Sequence, residues 1–339
     1  MSLTHQPARR ETLRLASGHY NGPVTQKGLD LQEEPQKVDL VGVGLNATDT
    51  LIPLPEFPAR GSKMEYRSAS IMPGGQTASA VVACQTWGLQ ARYVGKLGDD
   101  DAARLHREAF ARTGVDARLV QVPGGVSPQS LILVDEGERT VLCRRDELMT
   151  LLPEELHREW ITNARALLVD GHDTAAATQA ARWAHEAGLP VVADLDAPYE
   201  GINELLELVD YPIVSRDFPC RMMNETNLEQ ALKRLHKHYN CRLAAATLGQ
   251  DGVIAWDGRQ LWRRASYRVP AVDTTGAGDI FHAGFIFGLL QNWPVERQLD
   301  FACAAAAMNC TKQGARGGIG PVDAVEKLMA TAERYQSAF

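Results

Sequence analysis

The amino-acid sequence predicts an α/β fold with a mainly parallel central sheet that helices cover on both faces. From about residue 153 onward, short apolar strands alternate with helical segments, an order typical of parallel sheets. The strands, such as 166–170 and 191–194, are apolar along most of their length rather than at every second position, which indicates burial on both faces. Two segments, about 50–71 and 125–145, are strand-like but lie outside this alternation. We therefore expect them to form a smaller β element.

The composition is that of an ordinary globular enzyme. The 339 residues carry a net charge of −7, with 23% charged and 45% hydrophobic residues, which is enough chain to bury a large core. No long basic run appears, so we expect no nucleic-acid partner, and no apolar stretch is long enough for us to expect a membrane span. Six cysteines are scattered without a CxxC pair, and the N-terminus lacks the order of a signal peptide. These features predict free thiols and a cytoplasmic location.

Residues 1–36 are polar and rich in glycine and glutamine, with little apolar periodicity. We expect a flexible N-terminal extension there and the folded domain at 37–330. The first strand of the domain is predicted at 38–44. Its two glycines suggest a dinucleotide-binding loop, but no third glycine or helix follows and no acid stands about 20 residues on, so that reading fails. Asp49 follows this strand and is placed to bind hydroxyl groups of a ligand; a solvated loop carboxylate is the alternative.

Residues 63–71 alternate loosely, as a strand does. Gly74 and Gly75 then open a helix of small residues, where a ligand or another backbone can approach closely. A strand at 91–97 is followed by three carboxylates, 99–101, that start a helix. These acids resemble a metal site, but the helix dipole alone favours acids at an N-terminus, and we interpret them as capping residues.

A hairpin is predicted at 130–143, around a turn that contains glycine. Beyond it, strands and helices alternate up to a strand at 243–247. In parallel sheets, ligands bind beyond the carboxyl ends of the strands. The polar residues at or just past such ends are Asp49, Asp170, His172, Asp194, Asp196, Ser215 and Thr247. Several of them are expected to form turns and nothing more.

A tight turn at 247–252 joins two strands, and its two glycines leave room for a flat or charged ligand against the backbone. An alanine-rich helix at 299–308 either packs closely on a neighbouring helix or leaves a slot for a purine ring. A glycine-rich loop follows at 311–318. There is no GxxxxGK[ST] phosphate loop, so if this protein handles ATP it uses another device.

The loop at 272–279 is the stretch around which the chain is organised. Gly276, Ala277 and Gly278 close a tight turn before an apolar helical run, and such a turn leaves unpaired N–H groups that attract an anion. Asp279 at the mouth of that site would be repelled by the anion, which suggests a base that deprotonates a nucleophile attacking a phosphate. For this loop taken alone, an ordinary N-cap aspartate is the alternative.

Two motifs together resemble those of the PfkB (ribokinase-like) carbohydrate kinases. The first is Gly74-Gly75 with the segment 94–100, and the second is Asp273-Thr274-Thr275-Gly276-Ala277-Gly278-Asp279 with Phe281 and Gly284. Their order and separation match the family, as does Thr247-Leu248-Gly249 upstream. The resemblance covers about residues 38–329. It implies a three-layer α/β/α domain with a small β lid from 50–71 and 125–145, which phosphorylates a hydroxyl, expected to be a primary one, of a sugar or sugar derivative with ATP and Mg²⁺.

The resemblance also implies roles for individual residues. Asp279 would be the catalytic base, with the amides of Gly276, Ala277 and Gly278 as the anion hole. The sugar would bind at Asp49, Gly74, Gly75 and Gln76, and the nucleotide at Thr247, Gly249, Gly252, Ser215 and Cys303. Many members use a monovalent cation such as K⁺, expected here near Asp273, Thr275, Asn309 and Gly314 and held mostly by carbonyl groups.

The chain departs from the family at two places. The Asn usually found two residues after the glycine pair is missing, and Thr77 follows Gln76. The family's Asn-x-x-Glu is replaced by 215–218, Ser-Arg-Asp-Phe, so Asp217 or water would have to complete the Mg²⁺ shell.

Four cationic or titratable residues are candidates for recognising an acidic substituent on the substrate, with surface charge as the alternative: Lys63, Arg144, Arg145 and His172. A nucleoside kinase, or a sugar- or nucleotide-binding regulator without turnover, is the alternative function. Exposed lid strands would pair into a homodimer or simply cover the site.

Overall fold

A nine-stranded sheet runs through the protein, as seen in a computed structural model that describes residues 36–135 and 138–336. The predicted extension at 1–36 lies outside the described residues, apart from Gln36. In chain order the strands are β1 Leu40–Val43, β2 Ala47–Pro53, β3 Ser70–Gly74, β4 Ala91–Leu97, β5 Asp116–Gln121, β6 Gln129–Asp135, β7 Glu138–Arg144, β8 Ala166–Asp170, β9 Val191–Leu195, β10 Tyr211–Ser215, β11 Ala244–Thr247, β12 Val253–Trp256 and β13 Leu261–Arg264. The helices are α1 Gln76–Thr86, α2 Asp101–Thr113, α3 Arg158–Thr162, α4 Thr174–Glu186, α5 Ile202–Leu206, α6 Phe218–Met223, α7 Leu228–Tyr239, α8 Ala277–Leu290, α9 Val295–Asn309 and α10 Val322–Thr331.

The strand order of the large sheet is β13-β12-β11-β10-β9-β8-β1-β4-β5. The seven strands from β11 to β5 are parallel, and only β12 and β13 at one edge are antiparallel. The mainly parallel sheet predicted from the continuous apolar strands is confirmed. The edge strands β5 and β13 were not predicted, because both are half-buried and rich in polar or charged residues, a pattern that also suits loops.

Helices cover both faces of this sheet. Successive residues of each strand point to opposite faces, so Leu40 joins one apolar cluster and Val41 the other. The first cluster includes residues of α1, α8, α9 and α10, and the second includes residues of α4, α5 and α7. The result is the expected three-layer α/β/α arrangement.

A second sheet of four strands, in the order β3-β2-β6-β7, is formed by the segments predicted to lie outside the βα alternation. The strand expected across 63–71 begins only at Ser70. Residues 63–69 are mostly exposed, so no apolar face fixes a strand there. Asp49 lies within β2 and is only 5% exposed, which rules out the solvated loop carboxylate.

Helix ends follow the local chemistry of the sequence. Gly75 has φ 92° at the start of α1, in the region that favours glycine. Asp100 caps α2 by accepting a hydrogen bond from the Ala103 N–H at 2.9 Å, which confirms the capping interpretation for this residue, whereas Asp99 accepts the Gly124 N–H at 3.1 Å. The six cysteines are free thiols, as expected. Within the described residues, no helix is long and apolar enough to cross a membrane.

Candidate active site

Two cavities meet beside the loop that precedes α8. The larger has a volume of about 580 Å³ and lies at the carboxyl ends of β9, β10 and β11. The smaller, about 160 Å³, lies between this loop and the small sheet. Gln76, Arg139, Gly276 and Asp279 line both cavities. Asp279 therefore faces both compartments, with one ligand space on each side.

The backbone of the loop explains why glycine is needed at its turn. Gly276 has φ 75° and is the N-cap of α8. A Cβ atom there would come within 2.3 Å of the Ala315 carbonyl oxygen, so both conformation and space exclude a side chain. No described side chain caps α8. The Ala277 N–H donates to the Thr274 carbonyl at 3.2 Å, and the other amides of the first turn are left for an anion.

Asp279 is partly exposed to this space. Burial among the cavity walls, together with the neighbouring carboxylate of Asp194, raises the pKa of its carboxyl to about 8, against the lowering effects of His282 and Arg139. A carboxylate with a pKa near neutrality is suited to exchanging a proton with a bound hydroxyl.

The smaller cavity contains a second buried carboxylate, that of Asp49. Burial raises the pKa of this group to about 6, although a hydrogen bond with Ser130 offsets part of the rise. Gly74 packs against the carboxylate so closely that a Cβ atom would lie 2.0 Å from an oxygen of Asp49. Gly75 and Gln76 complete this wall. The cavity thus offers carboxylate, amide and hydroxyl groups, which are suited to binding sugar hydroxyls.

The five residues predicted to contact a nucleotide all line the larger cavity: Thr247, Gly249, Gly252, Ser215 and Cys303. A Cβ atom on Gly249 would meet open space, so this turn leaves its backbone accessible to a ligand. Burial raises the pKa of the Cys303 thiol to about 12, which keeps it a neutral, small wall residue. His172 also lines this cavity and packs against Tyr199, with ring centroids 5.3 Å apart.

The four residues predicted to surround a monovalent cation converge. The Asp273 carboxylate accepts the N–H groups of Thr275 and Gly314, both at 2.8 Å. The Asn309 amide donates to the Thr275 carbonyl at 3.3 Å and to the Ala315 carbonyl at 3.0 Å. These side chains tie the loop at 273–275 to the loop at 309–315. The Thr275 hydroxyl is buried without a protein partner among the described residues.

Two of the residues predicted to recognise an acidic substituent, Lys63 and Arg145, line neither cavity. Lys63 is exposed. Arg145 donates to the His172 carbonyl at 3.0 Å and forms an ion pair with Asp173, so its guanidinium supports the wall. The Asp170 carboxylate accepts the Leu45 N–H at 2.7 Å and the Thr77 hydroxyl at 2.8 Å, so it ties β8 to two distant segments, and it lines neither cavity.

Sequence reasoning missed Arg139 and His282 and left Asp194 unassigned. Arg139 projects from β7 and donates to the Thr274 carbonyl at 2.8 Å. The hairpin prediction gave its strand, but not which side chains of that strand face the cavities. His282 stands three residues after Asp279, which is one helical turn, and that spacing was a usable signal.

The residue proposed to replace the missing acid of the Mg²⁺ motif lies outside the cavities. Asp217 is exposed, precedes α6 and lines neither of them. Asp194 and Asp196 line the larger cavity instead. Across residues 36–135 and 138–336, no three His, Cys, Asp or Glu side chains are grouped so that they could hold a metal ion by themselves.

The chain is similar to known proteins over most of its length. A family model described as pfkB family carbohydrate kinase matches residues 39–320. The ATP-dependent ribose-1-phosphate kinase of Halopiger xanaduensis is 30% identical over 295 residues, which is 85% of this chain and 96% of that protein.

Solved structures show the same fold. A crystal structure of a candidate ribokinase from Agrobacterium tumefaciens superposes with a TM-score of 0.81 at 26% identity, covering 87% of this chain and 98% of that one. Arabidopsis thaliana ribokinase, complexed with ribose and ATP, has a TM-score of 0.74 at 23% identity, covering 87% of this chain and 99% of that one.

Proposed function

Because this chain belongs to the pfkB family of carbohydrate kinases and is an ATP-dependent carbohydrate kinase, we propose that Asp279 is its general base. One observation carries the assignment: Asp279 lines both the cavity that suits a nucleotide and the one that suits a sugar. In this arrangement a hydroxyl in the smaller cavity gives its proton to Asp279 as its oxygen attacks the terminal phosphorus of ATP, and the bond from that phosphorus to the bridging oxygen breaks to release ADP. A positioned base of this kind contributes roughly 10²–10⁴ in rate.

The anion hole is assigned to the amides of Gly276, Ala277 and Gly278 at the start of α8, of which the Ala277 N–H would have to release its bond to the Thr274 carbonyl. Backbone donors at a helix N-terminus are fixed before the reaction and stabilise charge on the transferred group. Mg²⁺ bound to the phosphates neutralises further negative charge. We expect the ATP phosphates and water to provide most of its ligands, with single carboxylates of the larger cavity nearby, because no described cluster of side chains could hold the ion alone.

The acceptor is proposed to be a primary hydroxyl of a sugar or sugar derivative. Asp49 and Gln76 supply the hydroxyl-binding groups of the smaller cavity. Arg139 is the one cationic residue that lines that cavity, among the residues the structure describes, and it favours an acceptor that carries an anionic substituent. The ribose-1-phosphate kinase relative acts on a sugar of this kind. A nucleoside acceptor is the alternative.

A K⁺ site between the loops at 273–275 and 309–315 is proposed as well. It is supported by the buried Thr275 hydroxyl, which lacks a protein partner in the described part of the chain. Carbonyl groups of the two loops would provide most of the ligands. Since the same loop continues into the anion hole, the ion would fix the amides that bind phosphate.

The small sheet is proposed to act as a lid and as a dimer surface. Ile71, Leu131 and Leu142 lie in one row across β3, β6 and β7, next to Thr50 of β2. They are 65%, 38% and 51% exposed, and an apolar row of this kind is typical of a surface that pairs with another protein. The occupant proposed is the same sheet of a second copy of this chain.

A coupled ADP-release assay tests the function. The panel contains sugar phosphates, sugar acids, aldoses, ketoses and nucleosides, each in KCl and in choline chloride. We expect turnover with a phosphorylated or acidic sugar, faster in KCl. Asp279→Asn should retain ATP binding and lose at least 10²-fold in kcat. An unchanged rate for Asp279→Asn removes the base assignment, turnover of nucleosides alone favours the nucleoside kinase, and ATP binding without any turnover favours a regulator.

A further inference from the structure

His282 occupies an unusual position behind the anion-hole turn. Its ring is 1% exposed and lies between α8 and β10. The Nδ1 atom is 2.7 Å from the Gly278 carbonyl oxygen, and the Nε2 atom is 2.9 Å from the Ile213 carbonyl oxygen. Both ring nitrogens therefore face oxygen atoms that can only accept hydrogen bonds.

A neutral imidazole carries one N–H and one lone pair. In either tautomer, a nitrogen lone pair of His282 would face a carbonyl lone pair at hydrogen-bonding distance, which is repulsive and leaves a buried acceptor unsatisfied. Only the doubly protonated ring donates to both carbonyls. We propose that His282 is an imidazolium in the resting enzyme, and that it is a positioning residue that fixes the first turn of α8 and increases the ionised fraction of Asp279.

Negative charge surrounds this ring on several elements. From β9, an oxygen of Asp194 is 3.3 Å from Nδ1. On α8 itself, Asp279 is one turn away. Burial lowers the pKa of His282 below its ordinary value, and the hydrogen bonds to Ile213 and Gly278 and the charge of Asp279 offset only part of that lowering. The charges of Asp170 and Asp196 act on Asp194 and raise its pKa further above the level set by burial.

The hydrogen-bond geometry decides between the two protonation states of His282. Gln76 of α1 contacts the other oxygen of Asp194 at 3.4 Å, so this carboxylate is held from both sides. A single positive charge on His282 then stabilises the ionised forms of both Asp194 and Asp279. The His282 ring also donates a hydrogen bond to the Gly278 carbonyl, and this bond orients the peptide groups beside the phosphoryl position.

The consequence for catalysis rests on the proposed role of Asp279. Burial and the charge of Asp194 raise the pKa of Asp279, and the charge of His282 lowers it. Removing the positive charge should therefore raise the pKa of Asp279, so that less of this carboxyl is ionised at neutral pH. Asp49 and Arg139 also act on Asp279, in opposite directions, and both remain in place when His282 is replaced.

The protonation state can be measured without any turnover. The protein contains nine histidines, and ¹⁵N-histidine labelling with long-range ¹H–¹⁵N correlation distinguishes a doubly protonated ring from a neutral one. The signals of His282 are assigned by their loss in His282→Gln. At pH 7.5 we expect both of its nitrogens to be protonated. His106 is an internal reference, because burial lowers its pKa to about 3 and its ring should be neutral. A lone pair on either nitrogen of His282 overturns the proposal.

The pH profile of kcat/KM tests the consequence. His282→Gln should move the acidic limb to higher pH by at least half a unit, so its deficit should be several-fold larger at pH 6.5 than at pH 9. His106→Gln is the matched control for loss of a buried histidine, and any deficit it causes should be the same at both pH values. If the loss of kcat/KM in His282→Gln is the same at both pH values, His282 only contributes packing and the proposal is wrong. If this variant does not fold, His282→Asn takes its place, and the labelling result on the wild-type protein still decides.

The two proposals fail in different ways. If Asp279 is not the base, Asp279→Asn retains activity while His282 still shows two protonated nitrogens. If His282 is neutral, the labelling experiment shows it even when Asp279→Asn is inactive.

Discussion

Replacing Gly276 by alanine tests whether the turn before α8 must have the shape seen here. The substitution adds one methyl group at φ 75°, a left-handed conformation that costs a non-glycine residue about 1–2 kcal/mol. The methyl carbon would lie 2.3 Å from the Ala315 carbonyl oxygen and 2.6 Å from the Ala315 Cα. Both contacts are with backbone, so no side chain can rotate to relieve them.

The size of the effect follows from these distances. An ordinary contact to a Cβ atom begins at 3.4 Å, so the turn or the segment around Ala315 must move by about 1 Å. A displacement of about 1 Å at a catalytic centre can cost roughly 10²-fold in rate. The overpacking adds about 1–3 kcal/mol to the conformational cost. We expect Gly276→Ala to lose roughly 2–5 kcal/mol of stability and about 10²-fold in kcat.

Denaturant unfolding and the ADP-release assay measure the two effects. Gly278→Ala is the matched control for stability, because a Cβ atom on Gly278 meets nothing within 4 Å and alanine is favoured in a helix. It should unfold at the same or a higher denaturant concentration than the wild type. If Gly276→Ala retains both wild-type stability and a rate within twofold, the loop does not have the described conformation and the anion-hole argument loses its basis.

Three further predictions follow from the charges and the exposed face. First, since burial and Asp194 hold the pKa of Asp279 at about 8 and the base must be ionised, kcat/KM should rise about tenfold from pH 7 to pH 9; a flat profile contradicts the base assignment. Second, Arg139→Met removes the bond to the Thr274 carbonyl and should raise KM for an anionic sugar about tenfold while KM for ATP changes little; equal rises for both would place Arg139 at the nucleotide. Third, Leu142→Asp puts a charge on the exposed row of the small sheet and should halve the molecular mass seen by sedimentation; a wild-type protein that is already monomeric refutes the dimer.

The sequence was most informative where one physical requirement dominated. The buried parallel strands from β8 to β11 were recognisable because burial on both faces demands continuous apolar residues. The turn at Gly276 was recognisable because only glycine tolerates its conformation. Gly74 and Gly75 were recognised for the same reason, although the sequence could not reveal that Gly74 leaves room for the carboxylate of Asp49.

Other features depend on which segments meet in space, and no local pattern encodes that. Asp49 was expected after the first strand, yet it lies inside a strand of the small sheet. Arg144 and Arg145 were chosen for their charge, whereas Arg139, at the start of the same strand, is the residue that lines both cavities. Alternation along the strand was visible, but which residues face the cavities was set by pairing with β6.

The two carboxylates of the site are carried by different parts of the fold. Asp49 is carried by the small sheet and Asp279 follows the loop beside the large one. On the proposed role of Asp279, an acceptor that contacts both carboxylates would bridge these two parts of the molecule. Its binding would then join the group that recognises the acceptor to the group that activates it, and an acceptor too short to reach both should be a poor substrate.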